Sequence, residues 1–111
     1  MGCRNHQQLN KNLMIQLQVI GRTENQMSQI KDLILKYKYA KSIEIDWNRT
    51  SYKAEGSEEI VHKLSCITKA AFFTEIQKLI HDQFEEKSIE IYAIPLSYFD
   101  WSLNENLKQE H

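Results

Sequence analysis

Residues 52–73 read YKAEGSEEIVHKLSCITKAAFF, and the secondary structure given to them decides the fold. Ile60, Val61, Leu64, Ile67 and Ala71 recur at helical spacing. Gly56 followed by Ser57, Glu58 and Glu59 offers a break, a capping hydroxyl and two carboxylates suited to the positive end of a helix. This predicts a helix from Ser57, continued by a stripe through Phe72, Ile76, Leu79, Ile80 and Phe84. One unbroken helix of that length would be unusual in so small a domain, so a kink or break is expected between Cys66 and Thr74. A competing parse makes Ile60 to Ile67 a strand paired with the Ile43 segment. It ranks second because Val61, Leu64 and Ile67 would spread over both faces of a strand.

Outward from that stretch the pattern is plainer. Ile15, Leu17 and Val19 alternate with Gln16 and Gln18, the two-residue period of a strand with one buried face. Gly21 breaks it, and Thr23 with Gln26 forms a capping box that opens a helix striped by Met27, Ile30, Leu33, Ile34 and Tyr37. Ile43, Ile45 and Trp47 against Glu44 and Asp46 make a second strand, with a turn expected at Asn48 to Ser51 and a short third strand at Tyr52 to Glu55. Ile89, Ile91 and Ala93 form the last strand, which Pro95 ends.

The expected organisation is a polar, flexible arm over 1–12, an α+β domain over 13–96, and an aromatic tail over 97–111 that can form a short helix. The fold class is α+β, with a four-stranded antiparallel sheet, helices on one face, and the order βαββαβ. That order resembles the ferredoxin-like fold, and Tyr52 to Glu59 looks like the strand-to-helix passage of acylphosphatases. The resemblance implies a phosphate cradle at Gly21-Arg22-Thr23 and a water-positioning Asn48, but the remaining glycines of that family's loop are missing.

Composition narrows the function. A formal net charge of -1 over 111 residues gives no global field toward nucleic acid or an acidic membrane. The open sheet face also lacks the stacked aromatics of an RNA-binding sheet, so nucleic acid is not expected as a partner. Two cysteines, Cys3 and Cys66, make no disulfide framework, which fits a reducing, cytoplasmic setting. No apolar run is long enough to span a membrane, and Met1-Gly2-Cys3 is followed by His6 where a myristoylation signal needs Ser or Thr.

No complete catalytic, metal or cofactor motif is present. His62 and Cys66 would share one side of a helix, but no third metal ligand is visible nearby. Gly21, Arg22, Thr23 and Asn48 are candidates for holding a small anionic ligand or nucleotide. Glu44, Asp46, Glu90 and Tyr92 on the sheet, with Tyr98, Phe99 and Trp101 in the tail, are candidates for contacting a partner or a second copy. The expected function is a non-catalytic protein-binding module of the inhibitor, immunity or regulatory-subunit type, without cofactor. A small-ligand sensor is the alternative, and an acylphosphatase-like hydrolase ranks below both.

Overall fold

Alternating Ile15, Leu17 and Val19 run through strand β1, Met14–Gly21, and put three apolar side chains on one face of the sheet. In the computed structural model, which describes residues 13–108, β1 is followed by helix α1, Glu24–Lys36. The arm expected over 1–12 lies outside the described residues. Strands β2, Glu44–Tyr52, and β3, Glu58–Lys69, form a hairpin. A 3₁₀ turn leads to α2, Phe73–Gln83, then β4, Glu90–Pro95. The sheet order is β2-β3-β1-β4 with every neighbouring pair antiparallel, the ferredoxin-like βαββαβ arrangement.

The capping box forms as the sequence predicts. Thr23 Oγ1 accepts the Gln26 N–H at 3.1 Å, and Gln26 Oε1 accepts the Thr23 N–H at 3.2 Å. Gly21 is required by close approach, because a Cβ there would stand 2.6 Å from Met27 Sδ. Met27, Ile30 and Ile34 of α1 and Ile76 and Ile80 of α2 then close over Leu17, Val19, Leu64 and Cys66. Burying each large side chain of this set stabilises the fold by about 1.5–3 kcal/mol.

The stretch 57–69 is corrected. It is strand β3, not a helix, so the second-ranked parse is the one the chain adopts, with wider limits and pairing to both β1 and β2. Gly56, at φ 103°, sits in the hairpin turn, where the Lys53 N–H donates to the Ser57 carbonyl at 2.8 Å. Ser57 therefore closes a turn and caps no helix. Along β3, Leu64, Cys66 and Thr68 face the helices, while Val61, Lys63, Ser65 and Ile67 line the other face. The second helix is a single segment that begins only at Phe73.

Two further expectations change with it. The separate strand at Tyr52 to Glu55 is absent: Tyr52 ends β2, and the residues after it turn the chain. The turn expected at Asn48 is a bulge between Asp46 and Arg49, with Asn48 at φ 58°, after which β2 continues. Trp47 and Ile60, which their spacing puts on apolar stripes, are 45% and 52% exposed and lie outside the core cluster.

After α1 the chain turns through Lys38, at φ 57°, and buries Tyr39 rather than Tyr37. Tyr39 packs its ring 5.2 Å from Phe72 and donates its hydroxyl to Glu75 at 2.6 Å. The chain end returns to this point. Leu107 is buried, the Lys108 N–H donates to the Lys38 carbonyl at 2.8 Å, and the Lys108 ammonium reaches Glu75.

Candidate functional site

Arg22 leaves β1 on the sheet face away from the helices and gathers what lies around it. Its Nε donates to Glu59 Oε2 at 3.0 Å, one Nη to Glu90 Oε2 at 3.1 Å, and the other Nη to the Ser88 carbonyl at 3.2 Å. Lys53 Nζ adds a second cation 3.0 Å from Glu59. Hydrogen bonds from Arg22 and then Lys53 hold the Glu59 carboxyl down to about 2. The same pairing raises Arg22, with the Glu59 hydrogen bond as the leading cause.

The anion cradle expected from the sequence falls at this ion-paired corner. The Arg22 guanidinium already carries two carboxylates, so an incoming anion would meet negative charge. The Arg22 and Thr23 N–H groups are taken by Gln26 Oε1, at 2.9 and 3.2 Å. Asn48 lies on β2, separated from Gly21 by the whole width of β3. The structure does not bring Gly21, Arg22, Thr23 and Asn48 into one pocket, and the arrangement that an acylphosphatase would need is missing.

His62 and Cys66 are also separated. On a strand, residues four apart lie about 13 Å from each other, too far to share a metal ion. The Cys66 thiol is pushed up to about 12 by burial, which keeps it protonated and unreactive. His62 is buried and accepts the Asn48 N–H on Nδ1 at 3.0 Å, so its proton belongs on Nε2. Trp47 stands edge-on to the same ring, with centroids 5.1 Å apart. Among the described residues, no three of His, Cys, Asp and Glu are gathered to hold a metal ion.

The partner-contact candidates fall in different places. Glu44, opposite Ser65, and Asp46, opposite Lys63, lie on the edge strand β2, and Asp46 pairs with Arg49 at 3.2 Å. Glu90 and Tyr92 lie on the opposite edge, β4, where the Tyr92 hydroxyl donates to Gln18 Oε1 at 2.8 Å. These four share one face without forming a cluster. Tyr98 is 95% exposed and Phe99 half-buried. Trp101 opens a 3₁₀ turn, and its side chain lies outside the described set.

Sequence reading missed the apolar content of this face. Ile20 of β1, Ile67 of β3 and Ile94 of β4 lie on it beside Tyr92, and Ile94 is 44% exposed. The signal was available in the odd members of the alternations, Ile20 and Ile94, which break a polar outer face. A second missed feature is a cleft of about 520 Å³ between α1 and β2, lined by Glu24, Asn25, Ser28, Lys31, Ile45 and Trp47.

No family model matches the chain, and no curated protein matches it in sequence. Solved structures do match its fold. CutA1 from Oryza sativa superposes with a TM-score of 0.75 at 16% identity, covering 88% of this chain and 96% of its own. A divalent cation tolerance protein, Cut A1, from Thermus thermophilus gives 0.72 at 17% identity, covering 86% and 95%. A protein from Archaeoglobus fulgidus, described as the periplasmic divalent cation tolerance protein CutA, gives 0.68 at 18% identity, covering 82% and 92%. The expected inhibitor, immunity or regulatory-subunit module is corrected by this likeness, since the Thermus thermophilus and Archaeoglobus fulgidus neighbours are described as divalent cation tolerance proteins. None of the described helices is long and apolar enough to cross a membrane.

Proposed function

We propose that this chain is a self-associating protein that contributes to tolerance of divalent cations. The observation that carries this reading is the extent of the fold likeness, which takes in nine-tenths or more of each neighbour described above. Self-association is supported by the apolar residues on the open sheet face, Ile20, Ile67, Ile94 and Tyr92, which lie on the side of the sheet away from α1 and α2. A cytoplasmic setting is supported by Cys66, a free buried thiol.

Among the described residues, no three of His, Cys, Asp and Glu stand together as a chelating site. The carboxylates that the fold does bring together, Glu59 and Glu90, are neutralised by Arg22 and Lys53. Cells lacking the protein should become more sensitive to copper or zinc salts, with sensitivity reversed by the native chain. Unchanged sensitivity across both salts would remove the support for a tolerance role.

A further inference from the structure

We propose that the cleft between α1 and β2 binds a small zwitterion, a molecule carrying one ammonium and one carboxylate on a short carbon skeleton. This goes beyond the tolerance role and does not depend on it. The cleft measures about 520 Å³, within the roughly 300–1,000 Å³ of small-molecule sites. Its two walls differ in kind. One is apolar, made by Ile45 and the half-exposed indole of Trp47. The other is a polar stripe of α1, where Glu24, Asn25, Ser28 and Lys31 share one side of the helix.

The charges on that stripe are opposite and stand at its two ends. Glu24 and Lys31 are seven residues apart, about 10.5 Å along the helix axis, a gap their side chains can narrow to the span of a short dipolar molecule. The lining carries no net charge, so a ligand of one sign leaves one end of the cleft mismatched, and a zwitterion satisfies both. An ammonium beside Glu24 can also lie against the indole face, which attracts cations. A carboxylate at the other end meets Lys31, which among the described residues makes a loose 3.5 Å contact with the solvent-exposed Asp32. Asn25 and Ser28, between the two charges, supply an amide and a hydroxyl that make no hydrogen bond among the described residues.

The aromatic wall is set before any ligand arrives. Trp47 lies in the bulge between Asp46 and Arg49, and the Asn48 N–H bond to His62 Nδ1 fixes the imidazole against which the indole rests. Such preorganisation spares the site the cost of ordering a loose side chain on binding.

The test follows the indole N–H signal of Trp47 in the full-length chain, assigned with Trp47→Phe. Three zwitterionic probes, glycine, 4-aminobutyrate and 6-aminohexanoate, are titrated to about 10 mM, with butylamine and butyrate as singly charged controls. At least one zwitterion should shift the Trp47 signal and the amides of Glu24 to Ser28 saturably, at several-fold lower concentration than either control. Glu24→Gln and Lys31→Met, both at solvent-accessible positions, should each weaken that response while leaving the thermal melt unchanged. Overturning results are no shift of Trp47 by any zwitterion, an equal response to the controls, or full binding by both variants.

Discussion

Arg22 reaches both β3 and β4 from the end of β1, and the chemistry of that contact fixes its response to acid. In the unfolded chain the Glu59 carboxyl takes its proton near its ordinary 4.5, and in the folded protein near about 2. The contact therefore stabilises the fold fully above about 4.5, and the stabilisation is lost as the pH falls from there toward 2. The urea midpoints of the native chain and Glu59→Gln should differ near neutral pH and converge over this acid window. A difference that stays constant down to pH 2 would show that the Arg22 pairing contributes nothing. At the neighbouring Gly21, alanine would crowd Met27 Sδ, and an overpacked contact of this kind costs about 1–3 kcal/mol. A melt of Gly21→Ala unchanged from native would contradict that packing.

At the scale of elements, what was legible divides along the sheet. β1 and α1 follow from local pattern, because β1 keeps its apolar residues on one face and α1 carries its own capping box. β3 does not, since it lies between β1 and β2 and meets apolar neighbours on both sides. Val61 and Ile67 face away from the helices while the polar His62 and Thr68 face toward them, so the two-residue period is scrambled into a helical one. The density of β-branched residues, Ile60, Val61, Ile67 and Thr68, was the signal that could have decided for a strand. Thr68 has a specific task there: fully buried, it donates its hydroxyl to the Tyr39 carbonyl at 2.6 Å. Thr68→Val should cost about 1–3 kcal/mol by leaving that carbonyl unpaired, measured by denaturant unfolding. The chain end is an element of the same structure, and Leu107→Ala should cost about 2–5 kcal/mol if its buried side chain anchors the segment over Tyr39. A stability change near zero would mean that the segment is not docked in solution.

For the whole molecule, the sequence shows the layer order of the domain but hides its surfaces. Arg22, Glu44, Asp46, Glu90 and Tyr92 are visible as polar residues, yet which of them pair depends on a register that only the assembled sheet sets. The cleft beside Trp47 is equally invisible, because its walls are joined by a bulge and a helix stripe more than a dozen residues apart. The apolar open face is the feature on which self-association rests, and the mass of the full-length chain in solution tests it most directly. Light scattering on the eluting native protein at micromolar concentration should give a multiple of 13.2 kDa, and Ile94→Lys, at a half-exposed position on that face, should return to 13.2 kDa with its fold intact. A native chain that elutes at 13.2 kDa would contradict the account.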